Sequence, residues 1–451
     1  MIDRPSLAAI RFGFGLPLPE GAPVEPAMML AALAGPDLAA FDFPASGLAD
    51  VLPVLQAAQA GRMAMRAAPE DRAAYAAAAR EAAKIADIAT RSQFARALDS
   101  PDGFRERLVR FWADHFTTKP RNRPETTLPG ALIEDAIRPH VAGRFGDMLE
   151  AAVLHPAMLA YLDQVASVGP GSRFGKRRGR GLNENLAREV LELHTLGVGA
   201  GYGQSDVREM AELLTGLDAT AAEGALFRRE RAEPGPETVL GKTYSGEGMA
   251  PIRAALQDLA QRPETALHLA RKLAVHFVAD DPDPDLVGAI AAAYRQSGGG
   301  LLAAYEALLA HPAAWVQTLG KARQPLDFTL AALRALGWRG RDVMAFGARP
   351  LRRFILRPMA VMGQEWGRPN GPDGWPESVE SWITPQGLGA RIAWAMEVPD
   401  RLVKTLPDPE DFARTALGPA ADARLLWAVA RAETRREGVG LVLASPAFNR
   451  R

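Results

Sequence analysis

Residues 183–217 read NENLAREVLELHTLGVGAGYGQSDVREMAELLTGL, and the reading of this stretch decides the fold. Leu186, Ala187, Val190, Leu191 and Leu193 fall on one face of a 3.6-residue period. Glu184, Asn185, Arg188, Glu189 and Glu192 fall on the other. Asn183 suits an N-cap, where its side-chain oxygen accepts an otherwise free backbone N–H. Glu184, Arg188 and Glu192 stand four apart and form a ladder of ion pairs. His194 lies on the apolar face. Gly197, Gly199, Gly201 and Gly203 make a turn, with Gly197 as a left-handed terminator. Gln204 or Ser205 then precedes a second helix, with Asp206 in its first turn where the dipole favours an anion. That helix buries Val207, Met210, Leu213, Leu214 and Leu217. The stretch is therefore an αα-hairpin. Its glycines follow no strand, which argues against a dinucleotide fingerprint.

Outward from it, helix signals dominate. Residues 54–98 are almost all strong helix formers. Pro69, Glu70 and Asp71 read as a helix start. Asp99-Ser100-Pro101 closes that helix and opens the next, with Ser100 as cap and proline at the first helical position. The helix over 101–117 places Phe104, Leu108, Phe111, Trp112 and His115 on one side. A further helix spans 127–150 and leads to His155-Pro156. Residues 167–182, SVGPGSRFGKRRGRGL, read as a loop made basic by Lys176, Arg177, Arg178 and Arg180. Residues 225–248 carry the one strand signal, a hairpin around Pro234-Gly235-Pro236 flanked by Phe227, Val239, Leu240 and Tyr244. Helices resume over 251–261, 263–279, 284–297, 300–310 and 325–336, around an acidic turn at 280–285. Residues 363–386 form a proline- and glycine-rich loop with Trp366, Trp375 and Trp382.

The expected fold is mainly α: one large multi-helix body over 1–451 with one small β-hairpin insert. Its parts are an N-terminal helical part (1–100), a core holding the NEN motif helix (101–224), the insert (225–248) and a C-terminal helical part (249–451). The 451 residues suffice to bury a core without staples. Lys+Arg and Asp+Glu are both 53, so no net charge draws the chain to nucleic acid or an anionic membrane. The absence of cysteine excludes disulfides, thiolate metal sites and a thiol nucleophile. No stretch reads as a signal peptide or a membrane span, so the expected location is the cytoplasm.

FWADHFTT, the NEN-to-TGL block, ARKLAVHFVADDP, SGGGLLAAYEALLAHPAAW, the GWP around Trp375 and the closing SPAFNRR resemble, in this order, the bacterial family called domain of unknown function 1800. The resemblance covers nearly the whole chain and implies no assigned activity. It does imply a partner: members are often encoded beside a protein of the family called domain of unknown function 1501, which resembles sulfatases and phosphatases. Many members look exported. Two positions depart from common members, Arg262 standing where a histidine is frequent and Glu237 where a lysine is frequent.

Two functional readings result. In the first, the protein binds or assembles with a partner, such as the sulfatase-like neighbour, through an exposed patch around the Trp375 loop. In the second, it is a hydrolase-type enzyme: Glu189 or Glu192 is the general base, His115 shuttles a proton, and Asn183, Arg188, Asp206 and Trp375 hold the substrate. Both expect the charged side of the NEN helix to look into the molecule, its acids neutralised by guanidinium groups. No cofactor is identified and no metal assigned: a helical carboxylate site wants Glu-x-x-His, and the residue three after Glu189 is Glu192. No G-x-S-x-G elbow is present.

Overall fold

The computed structural model describes residues 1–68, 70, 72–179 and 181–451. Pro69 and Asp71 of the expected helix start, and Arg180 of the basic segment, lie outside the described residues. Most of the chain is helical, with two small antiparallel sheets.

Small side chains set the first packing. Leu48–Ala67 and Ala73–Asp99 lie against each other through Ala58, Gly61, Ala78, Ala79 and Ala82, all buried. A Cβ on Gly61 would come within 2.5 Å of the Tyr75 nitrogen, so only glycine allows this approach. The next helix is Gly103–His115. Its cap is Asp102, whose carboxylate accepts from Arg105 N at 2.9 Å and binds Arg105 Nε at 3.0 Å. Ser100 instead ends the preceding helix. The helix expected over 127–150 is broken: a π turn at Ile133–Ile137 and a 3-10 turn at Arg138–His140 lead to a separate helix, Phe145–Val153. Pro139, with no N–H to donate, sits in the break. The basic segment holds a short helix, Arg173–Arg178, because Ser172 caps it and Gly179 closes it at φ 61°.

The strand region holds two hairpins where one is expected. β1 (Leu217–Thr220) pairs with β2 (Gly224–Phe227), and β3 (Glu237–Val239) with β4 (Lys242–Tyr244). Pro234-Gly235-Pro236 joins the hairpins and turns neither. Prolines cannot donate to a ladder, whereas Leu240 and Gly241, both at positive φ, supply the two-residue turn that right-twisted strands favour.

The αα-hairpin is present. The NEN helix, Asn185–Glu189, continues as a π turn, Val190–Thr195, and its partner is Gln204–Leu213. The apolar positions are buried as expected except Leu193, which is half-buried. Glu184, Arg188 and Glu192 form the ladder at 3.1 and 3.2 Å, with side chains 33%, 39% and 24% exposed. The charged ladder therefore lies at the surface and not in the dry interior.

Among the described residues two large apolar interiors form. One runs from Phe12 to Ala314 and holds Trp112, Leu191, Met210 and Tyr305; the other holds Phe94, Phe328, Trp338, Trp394 and Phe448. Buried arginines tie them together. Arg107 binds Asp327 with two bonds (3.2 and 2.7 Å) and donates to the Gly13 carbonyl, and Arg451 Nε lies 3.2 Å from Asp327. Among the described residues no helix is long and apolar enough to cross a membrane.

Candidate functional site

Two helices face each other across the junction of these interiors. Phe111, Asp114 and His115 share one side of Gly103–His115, at the i, i+3 and i+4 positions. His268, Lys272 and His276 recur every fourth residue along Pro263–Phe277. Ring pairs Phe104/Phe277 (5.5 Å), Phe111/His276 (5.1 Å) and His115/His268 (6.4 Å) align the helices in opposite directions. The third wall is the loop from Asp373 to Glu377. Its Trp375 N–H donates to both Asp114 oxygens, at 3.1 and 3.0 Å. Gly374 makes this approach feasible: its φ is 81°, and a Cβ there would lie 2.6 Å from Asp114 Oδ2.

The walls enclose a cleft of about 390 Å³ lined by Phe111, Asp114, His115, His268, Lys272 and Trp375, among others. Asp114 and Trp375 also line an adjoining hollow of about 240 Å³, bounded by Arg110 and Trp366, and a small one of about 30 Å³ near Asp327. Asp114 therefore stands where three cavities meet.

Burial pushes the Asp114 carboxyl up to about 7, with Glu377 adding to it; the Trp375 N–H, Lys272 and Arg110 act the other way. Burial also lowers the Lys272 ammonium, against the opposing pull of Asp114, Glu377 and Asp373. Among the described residues Lys272 makes neither a hydrogen bond nor an ion pair. Glu377 behaves differently. Burial would raise it, but His276 at 2.5 Å, Arg451 and Lys321 hold its carboxylate far below the usual range. The histidines packed around the cleft are displaced toward their neutral form. Burial, with Lys272 nearby, takes His268 down to about 4 and His194 to about 3, and lowers His115 well below its ordinary value.

The π turn of the NEN segment positions two of these rings. His115 Nε2 donates to the His194 carbonyl (3.2 Å) and His268 Nε2 to the Leu193 carbonyl (3.1 Å). Carbonyls in the last turn of a helix lack intrahelical donors and are free for this use. Gly197 lets His268 in, since a Cβ there would lie 2.8 Å from its Nδ1.

The chain belongs to the family described as Protein of unknown function (DUF1800). The family match runs over residues 11–450, so both interiors and every wall of the cleft lie within it. No curated protein and no solved structure matches the chain.

In this family member the residues singled out from sequence are placed apart. His115 and Trp375 line the cleft. Glu189 is coupled to Asp373 at its edge: burial, Glu192 and Asp373 push its carboxyl up to about 7 against Arg188. Glu192 and Arg188 belong to the surface ladder, which Gln204 joins. Asn183 spends its amide on the Leu162 and Asp163 carbonyls and caps with its oxygen, which accepts from Asn185 N at 3.0 Å. Asp206 accepts from Gly203 N (2.8 Å) and Leu240 N (2.7 Å), tying its helix to the second hairpin. Lys272, His268, His276, Asp373 and Glu377 escaped the sequence reading. A signal for three of them stands in HLARKLAVH, where His268, Lys272 and His276 repeat at a spacing of four. Among the described residues no three His, Asp or Glu side chains are arranged to hold a metal ion.

Proposed function

We propose that the protein is an enzyme whose chemistry is proton transfer in the cleft beneath Trp375, with Asp114 and Lys272 as the acid–base pair. The observation that carries this reading is that an acid and an amine share one cleft without forming an ion pair. Burial displaces both toward neutrality: Asp114 upward, so that it exchanges a proton near pH 7, and Lys272 downward, toward the free amine. The apolar walls from Phe111, Val275 and Pro376 and the partly exposed Trp375 suit a small, largely neutral substrate. His115, neutral and 2% exposed, keeps the floor dry, and Glu189 offers a second acceptor at the edge.

The test compares wild type with Asp114→Asn and Lys272→Gln in a cell metabolite extract followed by mass spectrometry. At least one compound should be consumed by wild type and at least about 100-fold more slowly by either variant, the usual scale of acid–base assistance. Equal consumption by all three proteins, with both variants folded, refutes the reading.

Assembly with a partner, the sulfatase-like neighbour included, is the second reading. Its support is Phe41, 85% exposed, and Trp427, 61% exposed. These stand on separate helices, Leu38–Asp42 and Ala423–Val429, and single exposed apolar residues are ordinary on a folded surface. Around Trp375 the aromatic side chains turn inward: Trp382 is buried, and Trp366 donates to Thr90 beneath the Arg110 guanidinium. Co-purification with that neighbour, lost on Trp427→Ala, is the corresponding check.

A further inference from the structure

We propose that Lys272 forms a covalent imine with a small aldehyde or ketone, and that Asp114 is the acid that expels water. The inference rests on the acid–base reading above and names its substrate class.

The protein contains its own reference lysine. Lys321 is 1% exposed and fully engaged: its ammonium reaches Asp280 at 2.5 Å, the Glu377 carbonyl at 2.6 Å and the Glu377 carboxylate at 3.4 Å. That is how a buried ammonium is ordinarily accommodated. Lys272 lies in the same region, with Glu377 close enough to act on it, yet has no such partner. Two of the three acids that act on it are occupied elsewhere, and the third, Asp373, lines the cleft without pairing with it. Glu377 is held by His276, Lys321 and Arg451, and Asp114 by the Trp375 N–H. The amine is left facing a cleft of about 390 Å³ walled in part by Phe111, Val275, Trp375 and Pro376. A desolvated, unpaired amine beside a protonated carboxyl suits nucleophilic attack on a carbonyl.

The steps balance. The amine lone pair attacks the carbonyl carbon, forming the C–N bond while the C–O π pair moves to oxygen. Asp114 protonates that oxygen, and its carboxylate then takes a proton from the attached nitrogen. The re-formed carboxylic acid protonates the hydroxyl, the C–O bond breaks and water departs. A protonated imine remains, facing the Asp114 carboxylate, which is then placed to remove a proton from the adjacent carbon.

Pentane-2,4-dione is the probe, because it condenses with neutral amines to a stable enaminone that absorbs in the near ultraviolet. Wild-type protein should gain one chromophore, mapped by tandem mass spectrometry to Lys272, with Lys321 unmodified. Lys272→Arg should gain none, and Asp114→Asn, checked for cooperative unfolding at a melting temperature no lower than that of wild type, should react at least about tenfold more slowly. Labelling spread over surface lysines such as Lys84 and Lys242, or unchanged in Lys272→Arg, overturns the proposal. Labelling of Lys272 at the same rate in Asp114→Asn overturns the role given to Asp114. If Lys272 resists the dione while both variants still lose turnover in the metabolite assay, the imine falls and the acid–base reading stands. Loss of neither signal ends both.

Discussion

Asp114 keeps its proton to about pH 7 because its surroundings stabilise the neutral form, and this has a consequence for stability. Between the ordinary value of 3.8 and about 7, the folded protein holds a proton that the unfolded chain has released. Wild-type stability therefore falls as pH rises through that window. Asn has no such proton, so Asp114→Asn should gain on wild type as pH rises. The two should be nearly equal at pH 4, with the variant roughly 1–2 kcal/mol more stable at pH 8 after allowance for partial solvent access. Urea unfolding at the two pH values measures this, and a gap that shrinks with rising pH contradicts it. Gly374 is the other decisive residue. Gly374→Ala combines strain at φ 81° with a Cβ 2.6 Å from Asp114 Oδ2. It should cost about 1–3 kcal/mol and displace Trp375 from the carboxylate, read as a shift in tryptophan fluorescence.

At the scale of elements, the long helices after residue 260 followed from sequence, while the short helix at Arg173–Arg178 and the break in the helix expected over 127–150 did not. Helices at 263–277, 284–296, 301–310 and 325–335 lie within two residues of expectation, because proline starts and apolar periodicity are local signals. The break after Ile137 and the second hairpin depend on what packs above and below, which no window of sequence contains. Asp206 illustrates the difference. Its place in a first turn is legible, but its bond to Leu240 N, 34 residues on, is not. Asp206→Ala should lose about 1–2 kcal/mol, since it strands two backbone donors, while leaving dione labelling of Lys272 unchanged. Lost labelling with intact stability would instead return Asp206 to the site.

For the whole molecule the buried charge lattice governs acid stability. Burial raises Asp327, but Arg107 and Arg451 overcome it and hold its carboxylate below the ordinary range. A depressed carboxylate contributes stability that is present above its unfolded value and lost as pH falls through its folded one. The neutral histidines act in the same direction, because below about pH 6.5 the unfolded chain takes up protons that His194, His268 and His276 refuse. Asp327→Asn should cost about 3–5 kcal/mol at pH 7, because it leaves Arg107 buried without its acid and Arg451 with Glu377 alone. Its stability should vary less than that of wild type between pH 5 and pH 3, as followed by guanidinium unfolding. Equal stability of variant and wild type at pH 7 would show that the lattice does not join the two interiors.

Sequence alone determined the helical class, the αα-hairpin at 183–217, the burial of His115 and His194 and the family, because periodicity, caps and a long ordered motif are properties of neighbouring residues. The charged face of the NEN helix drew attention there, yet its ladder lies at the surface while its carbonyls hold the histidines. Only the tertiary structure decided which groups share the cleft. Asp114, Lys272 and Trp375 are separated by more than a hundred residues, and the altered acidity of Asp114 and Lys272 arises from solvent excluded by all three segments together.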